Sequence, residues 1–199
     1  MLELWALENE IYDGGVRSIC GVDEAGRGPL AGPVCAAAVV LPRGATIEGS
    51  NDSKKLSETR REAQFDEICD KALEYSIAFA SVEEIEELNI LNATFLAMNR
   101  AISGLDTAPE LALIDGNQTR GIDFPCRSVV GGDGKCADIA AASILAKVSR
   151  DRVMREMDRL YPGYGFAVHK GYGTKQHYAA IRELGATPIH RMSFLRKMH

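Results

Sequence analysis

The 199-residue sequence has no long hydrophobic run. Its longest uninterrupted apolar stretch is 34–41, far shorter than the roughly 20 residues that a transmembrane helix needs. The N-terminal segment MLELWALENEIY is acidic and lacks the basic start and apolar stretch of a secretory signal peptide. These absences argue against a membrane-spanning helix and predict a soluble, cytoplasmic protein.

The common metal-binding patterns of cysteine and histidine are also missing. The chain has five cysteines and four histidines, but no CxxC pair and no HExxH motif. An odd number of thiols without paired spacing predicts free cysteines in a reducing compartment rather than a disulfide framework. A zinc enzyme is therefore not expected.

Positive charge is scarce over most of the chain. Residues 1–134 carry 11 basic and 23 acidic side chains, whereas residues 135–199 carry 12 basic and 5 acidic ones. The formal net charge of -5 argues against a protein that coats nucleic acid through bulk charge. The basic last third nevertheless leaves room for an anionic partner.

The order of predicted elements indicates a mixed-sheet α/β domain flanked by helices. Strands come first with little helix between them, and later strands alternate with helices. The predicted strands are 18–22, 34–41, 75–81, 111–114 and 127–130. The predicted helices are 57–73, 82–88, 91–102, about 138–160 and 175–184, with Ser57 and Asp138 as candidate N-caps of the first and fourth.

Carboxylates stand at the ends of three predicted strands. Asp23 and Glu24 follow the first strand, Asp115 follows the fourth, and Asp133 follows the fifth in a glycine turn. Any one of these acids alone reads as an ordinary turn residue. Three acidic strand ends that converge on one sheet would concentrate negative charge, which favours a bound cation. Carboxylate oxygens select Mg²⁺ or Mn²⁺.

A turn rich in glycine and proline follows the first acidic pair. It contains Gly26, Arg27 and Gly28, and it is neither a Walker loop, since no GK[ST] follows, nor a dinucleotide fingerprint, since a strand follows. Its glycines can bring exposed backbone and one arginine close to a sugar or phosphate. An ordinary hairpin turn with a solvated arginine remains the alternative.

Other basic or aromatic positions suit a nucleotide chain. Lys54 belongs to a lysine pair before a helix, and Ser143 and Lys147 lie one turn apart on the long helix with Arg150 nearby. Tyr172 stands in a glycine-rich basic loop, where an aromatic ring can stack on a sugar or base. A solvated loop, an internal ion pair and a tyrosine packed under its own loop are the respective alternatives.

Taken in order, these motifs resemble the ribonuclease HII family, the bacterial type 2 ribonucleases H. The matching segments are GVDEAGRGPLAGPV at 21–34, DSKKLS at 52–57, IDGN at 114–117, GD…IAAASILAKVSRD at 132–151, YPGYGF with KGYGT around Tyr172, and PIHR…SF near the C-terminus. The resemblance implies a ribonuclease H-like fold: a mixed five-stranded sheet with helices on both sides and a helical C-terminal extension. A single domain is expected, with a catalytic core over about 1–160 and a substrate-contacting extension over about 161–199.

The resemblance also implies an activity. It predicts a metal-dependent endonuclease that hydrolyses the RNA strand of RNA–DNA hybrids and cuts 5′ of ribonucleotides embedded in duplex DNA, leaving 3′-OH and 5′-phosphate ends. In the family, the glycine-flanked turn reads the 2′-OH and the tyrosine packs on the following deoxyribose. The implied ligands of a two-metal Mg²⁺ or Mn²⁺ site are Asp23, Glu24, Asp115 and Asp133. The implied substrate-binding residues are Gly26, Arg27, Gly28, Lys54, Ser143, Lys147 and Tyr172.

Several expectations and alternatives accompany this assignment. Gly131 stands where the family usually has a lysine, which removes a positive charge beside Asp133. The short segment before the first motif disfavours the related ribonuclease HIII, which carries an additional N-terminal domain. A nuclease that acts on DNA alone and a non-catalytic nucleic-acid-binding module remain as rivals. No organic cofactor is expected, a monomer is expected, and the basic last third is expected to face the phosphate backbone.

Overall fold

The computed structural model describes residues 4–47 and 57–196. One five-stranded sheet lies at its centre, in the order β3-β2-β1-β4-β5. The β1–β2 and β2–β3 pairs are antiparallel, and the β1–β4 and β4–β5 pairs are parallel. The predicted mixed α/β fold class is therefore confirmed. The strands are β1 (Ile19–Ala25), β2 (Val34–Val40), β3 (Glu74–Ala80), β4 (Leu111–Asp115) and β5 (Cys126–Val129).

Helices cover both faces of this sheet. Side chains alternate along the strands, so Val34 and Ala36 of β2 face one apolar cluster while Cys35 and Ala37 face another. Helix 90–103 packs into the cluster that contains Val34 and Ala36, and helices 58–71 and 137–160 pack into the cluster that contains Cys35 and Ala37. The helices are α1 (Ala6–Asp13), α2 (Glu58–Lys71), α3 (Val82–Leu88), α4 (Ile90–Ser103), α5 (Ala137–Leu160), α6 (Phe166–His169), α7 (Lys175–Leu184) and α8 (Met192–Leu195).

Strand β1 is longer than the sequence predicted. The predicted strand ends at residue 22, but pairing with β2 continues to Ala25, so Asp23 and Glu24 lie inside the antiparallel ladder. The register joins Asp23 to Ala37 and Glu24 to Ala36. The acidic pair thus lies opposite two small alanines on β2. The hydrogen bonds of the sheet fix the backbone from which both carboxylates project.

The start of α5 packs against β1 without an intervening side chain. A Cβ atom placed on Gly21 would lie 2.2 Å from the backbone carbonyl carbon of Asp138 and from the backbone nitrogen of Ile139. Contacts that short do not occur between real atoms, so only glycine fits at this position. This close contact determines the distance between α5 and the end of the sheet.

Asp138 does not cap α5, which corrects the sequence prediction. The N-cap residue is Cys136, and Asp138 lies fully buried in the first helical turn. Its Oδ1 accepts a hydrogen bond from the backbone N–H of Leu41 at 2.9 Å, which ties the end of β2 to the helix. Burial raises the pKa of the Asp138 carboxyl well above its usual range, and the neighbouring Glu8 raises it further. By contrast, Ser57 does cap α2, with its Oγ accepting from the Arg60 N–H at 3.3 Å.

The segment after α5 folds back onto the end of that helix. Tyr164 and Phe166 stack with ring centroids 5.2 Å apart and pack with Met154 and Leu30 in a separate apolar cluster. The division into a catalytic core and a substrate-contacting extension stays a prediction. In the part of the chain that the structure describes, the helices are too short or too polar to cross a bilayer.

Candidate active site

Two of the predicted carboxylates lie side by side at the ends of parallel strands. Val22 of β1 pairs with Ile114 of β4, so Asp23 and Asp115 are the next residues on neighbouring strands. Parallel strands run about 4.8 Å apart, which sets the spacing of the two backbones. Since residues alternate across a strand and Gly21 faces α5, Asp23 also faces α5. There the Ser143 hydroxyl lies close enough to the carboxyl group to lower its pKa.

Asp23 is a buried carboxyl with two other acidic side chains close to it. The residue is only 6% exposed, and its Oδ1 accepts from the backbone N–H of Glu24 at 2.7 Å. Burial raises the pKa of Asp23 well above its usual range, and the charges of Glu24 and Asp115 raise it further. Burial also raises the pKa of Glu24, while Arg27 lowers it. Ionising these two neighbouring carboxyls is therefore costly unless a cation lies nearby.

Asp115 connects the sheet to the turn that carries Asp133. Its Oδ1 accepts from the backbone N–H of Gly132 at 2.6 Å. Residues Gly132–Gly134 form one 3-10 turn, in which Asp133 is half-buried. Gly131 precedes the turn in the left-handed conformation, with φ of 65°. This geometry favours glycine there over the family's usual lysine.

A lysine elsewhere in the same turn supplies positive charge near this position. The Nζ of Lys135 donates to the carbonyl oxygen of Val130 at 2.5 Å. An ammonium group is thus held at the residue before Gly131, although the chain has no lysine at 131 itself.

A pocket of about 430 Å³ opens beside the acidic strand end. A smaller cavity of about 50 Å³ adjoins it and is lined by Asp115, while Glu24 and Arg27 line both. These two side chains form an ion pair at 3.4 Å. The structure thus brings most of the predicted site residues together. Those that line the larger pocket are Glu24, Gly26, Arg27, Gly28, Ser143, Lys147 and Tyr172.

One wall of the pocket carries cations. Lys147 lies one turn after Ser143 on α5, and its Nζ pairs with the Asp151 Oδ1 at 2.5 Å. Burial lowers the pKa of Lys147, while Asp151 raises it and Arg61 lowers it. Arg61, on α2, lines the same pocket and was missed by the sequence analysis. The sequence shows that Arg61 follows the lysine-pair motif closely, but it does not show which face of α2 packs toward α5.

Two other basic residues of the last third are engaged within the protein. Arg150 is 1% exposed and donates to the carbonyl oxygens of Pro33 at 2.9 Å, Lys170 at 2.9 Å and Ala31 at 3.0 Å. It is therefore neither a phosphate contact nor half of an ion pair. Arg155 bonds Glu62 and Glu58 of α2. Packing and ion pairs thus occupy these two cations, and the expectation that the basic last third faces the phosphate backbone stays a prediction. Lys54 lies outside the described residues.

Residues 20–197 match the family described as Ribonuclease HII. The chain belongs to the ribonuclease HII family. A relative named Ribonuclease HII from Clostridioides difficile (strain 630) is 56% identical over 191 residues, which cover 96% of this chain and 75% of that protein. A second, from Acetivibrio thermocellus (strain ATCC 27405), is 54% identical over 193 residues, which cover 97% and 75%. The resemblance seen in the motifs is thereby confirmed.

A solved structure of the same kind has the same fold. The ribonuclease H2 of Pyrococcus horikoshii OT3 superposes with a TM-score of 0.73 at 26% identity, covering 89% of this chain and 93% of that one. As a ribonuclease HII family member, the chain is an endoribonuclease H. This result excludes the rival interpretation as a non-catalytic binding module.

The predicted ligand set fits a hard divalent cation by its chemistry. Asp23, Glu24, Asp115 and Asp133 offer only oxygen donors, which Mg²⁺ and Mn²⁺ prefer. Burial and the charges of Glu24 and Asp115 raise the pKa of Asp23, and a cation bound at this place would favour its ionised form. Within residues 4–47 and 57–196, however, no three acidic, imidazole or thiol groups are already drawn together as a ligand cluster. The four ligand roles in this ribonuclease HII stay predictions.

Proposed function

We propose that this ribonuclease HII is a metal-dependent endonuclease that cuts the RNA strand of RNA–DNA hybrids and also cuts 5′ of a ribonucleotide embedded in duplex DNA. The products are a 3′-OH and a 5′-phosphate. The observation that carries the proposal is the pocket of about 430 Å³, in which Glu24 meets the glycine turn, the cations and Tyr172. Acidic groups suited to phosphodiester hydrolysis thus adjoin groups suited to reading a sugar and holding a phosphate.

The carboxylates form the catalytic side of the proposed site. The ribonuclease H fold family is metal-dependent, and Asp23, Glu24, Asp115 and Asp133 would hold two Mg²⁺ or Mn²⁺ ions here. Bound divalent ions supply activation of the attacking water and stabilisation of the departing 3′-oxygen. The Glu24 N–H holds Asp23 and the Gly132 N–H holds Asp115, so both carboxylates are oriented before substrate binds.

The cationic wall forms the phosphate side. Lys147 and Arg61 lie within electrostatic reach of each other, and Ser143 stands one turn before Lys147 with its hydroxyl in the same pocket. Charged donors bind phosphate oxygens more strongly than neutral ones do. We assign these residues to the backbone of the cleaved strand, which positions it without reading its sequence.

The turn and the tyrosine form the sugar side. The Tyr172 ring lies against Gly28, where a Cβ atom would be 3.6 Å from its Cε1. The ring is 46% exposed, so one face remains available to a sugar. The 2′-OH is the group by which a protein distinguishes RNA from DNA, and backbone at a glycine can approach it closely. We assign the turn to the ribose and Tyr172 to the deoxyribose that follows it.

The first prediction concerns the substrate and the metal. With Mg²⁺ or Mn²⁺, the protein is expected to cut a DNA duplex that holds one ribonucleotide once, 5′ of that ribonucleotide, and to leave the matching all-DNA duplex intact. The nicked strand should prime a DNA polymerase directly, since its end is a 3′-OH. EDTA should stop the reaction and added metal should restore it. Cutting of the all-DNA duplex at a similar rate would support the rival DNA nuclease instead.

The second prediction concerns Tyr172. Tyr172→Ala is expected to lose about tenfold or more in kcat/KM on the single-ribonucleotide duplex, because a stacking contact contributes about 1–3 kcal/mol. The loss on a uniform RNA–DNA hybrid should be smaller, since many registers are available there. Tyr75→Ala on β3 is the matched control, because that tyrosine is 42% exposed and lies outside the pocket. Equal losses on both substrates would show that Tyr172 only packs.

A further inference from the structure

Two segments of the pocket are held from behind by neighbouring residues of the C-terminal part of the chain. We call 26–33 the recognition turn and 170–174 the tyrosine loop. Arg191 contacts the recognition turn, and His190 reaches the tyrosine loop through His177. None of these three side chains lines the pocket of about 430 Å³. They are therefore placed to act on substrate only through the segments that they hold.

Arg191 binds the recognition turn through its main-chain carbonyls. The guanidinium is fully buried and donates to the carbonyl oxygens of Gly26 at 2.6 Å, Arg27 at 3.0 Å and Gly32 at 2.9 Å. Burial lowers the pKa of Arg191 to about 9, and the charge of nearby Arg150 lowers it as well. A planar fork with five donors can hold several carbonyls at fixed angles, which a lysine ammonium cannot.

These contacts determine where the N–H groups of the turn point. The chain has no cis peptide bond among its described residues, so each C=O is antiparallel to the N–H of the same peptide unit. With the carbonyls of Gly26 and Arg27 turned inward to Arg191, the N–H groups of Arg27 and Gly28 point the opposite way. Since Gly26, Arg27 and Gly28 line the pocket and Arg191 does not, we infer that this direction is toward the pocket. Arg191 thus sets the donors that the turn offers to a ribose.

The tyrosine loop is held by a chain of hydrogen bonds between imidazoles. The Thr187 N–H donates to His190 Nδ1 at 2.8 Å, so the proton of His190 is on Nε2. That nitrogen lies 3.1 Å from His177 Nε2, which accepts. The remaining proton of His177 is then on Nδ1, 2.9 Å from the carbonyl oxygen of Tyr172. This assignment of protons satisfies every contact with neutral rings.

The two segments also meet each other directly. The Leu30 N–H donates to the carbonyl of Gly171 at 2.8 Å, and the Arg191 N–H donates to the carbonyl of Leu30 at 2.8 Å. A Cβ atom on Gly171 would lie 2.5 Å from the carbonyl oxygen of Ala31. The recognition turn, the tyrosine loop and the dipeptide at 190–191 therefore form one hydrogen-bonded unit.

We propose that His177 and Arg191 are positioning residues which fix the distance between the recognition turn and Tyr172, and that this distance determines the preference for a single embedded ribonucleotide. His190 contributes by setting the tautomer of His177. The inference rests on the proposed function, in which the turn contacts the ribose and Tyr172 the sugar after it. A long hybrid presents a ribose at every position and is less sensitive to that distance.

Two amide substitutions, His177→Asn and His177→Gln, test the positioning role of His177. Asparagine can place its N–H₂ where Nδ1 was and still donate to the Tyr172 carbonyl, whereas glutamine reaches only the Nε2 position. Both remove the imidazole ring and its packing. His177→Gln is expected to lower kcat/KM on the single-ribonucleotide duplex by about tenfold to a hundredfold, the scale on which misplaced groups act. His177→Asn should retain most of the preference. Equal losses in the two variants would show a packing role only and overturn the proposal.

A double variant separates this inference from the proposed function. If His177 acts through Tyr172, His177→Gln should leave the ratio of the two substrates unchanged when added to Tyr172→Ala. A further change in the ratio would contradict the inference while leaving the proposed role of Tyr172 intact. An unchanged ratio in Tyr172→Ala alone would contradict the proposed function itself, and this inference with it.

The substitution Arg191→Lys tests the positioning role of Arg191. The lysine retains a positive charge but loses the fork that orients the Gly26 and Arg27 carbonyls. Because the distance between the turn and Tyr172 matters most where only one ribose is present, kcat/KM should fall by about tenfold or more on the single-ribonucleotide duplex and by less on the uniform hybrid. Arg182→Lys, on the exposed side of α7, is the matched control. Unchanged activity in a folded Arg191→Lys protein, or an equal loss on the two substrates, would overturn the role of Arg191.

Discussion

The Asp115→Asn protein is expected to bind an RNA–DNA hybrid and to leave it uncut. The asparagine Oδ1 can still accept from the Gly132 N–H, the 2.6 Å contact that ties β4 to the turn of Asp133. The fold and the pocket should therefore persist, while the charge that would hold a divalent ion is removed. Loss of several kcal/mol of transition-state stabilisation corresponds to about a thousandfold or more in kcat.

The measurement is single-turnover cleavage at saturating Mg²⁺ or Mn²⁺, with hybrid affinity followed separately by fluorescence anisotropy. Asp106→Asn is the matched control, because Asp106 is exposed and lies away from the pocket. It should cut at the wild-type rate. Cleavage by Asp115→Asn within about tenfold of wild type would remove Asp115 from the proposed ligand set.

The sequence was enough to predict which residues form the site, but not the contacts that hold them in place. Asp23, Asp115 and the glycine turn could be predicted because each stands at a strand end or a turn, where local pattern and family motifs coincide. The parallel pairing of Val22 with Ile114 then brings the two acids together. Residues that share one pocket were thus recognisable without knowing the pocket itself.

The supporting contacts could not be predicted because they join residues far apart in the chain. In the sequence, Arg150 suggested a phosphate contact or an internal ion pair, and nothing set Arg191 apart. Both are in fact buried on carbonyls near Gly26 and Pro33, more than 100 residues away. Asp138 has the form of an N-cap but bonds Leu41 instead. A basic residue in an apolar helix can serve a phosphate or a carbonyl, and only the tertiary structure distinguishes the two.

Gly21→Ala is expected to be among the most damaging single-methyl changes in the chain. The added carbon would lie 2.2 Å from two backbone atoms of α5, and backbone packed between a sheet and a helix cannot move aside as a flexible side chain can. Overpacking of this kind costs about 1–3 kcal/mol and occasionally more. We expect a loss at the upper end, about 3 kcal/mol or greater in the free energy of unfolding, measured by urea denaturation.

The same substitution should also reduce cleavage in whatever protein still folds, because α5 carries Ser143 and Lys147 over the end of β1. Displacing the helix outward would separate the Ser143 hydroxyl from the Asp23 carboxyl whose pKa it lowers. Gly134→Ala is the stability control: its φ is not positive and nothing lies within 4 Å of an added Cβ. That variant should be neutral or slightly stabilised, since alanine restricts the unfolded chain. Unfolding free energies for the two variants within about 1 kcal/mol of each other would mean that α5 can retreat from β1 at little cost. The close packing of helix on strand would then not be what holds Ser143 against the carboxylate.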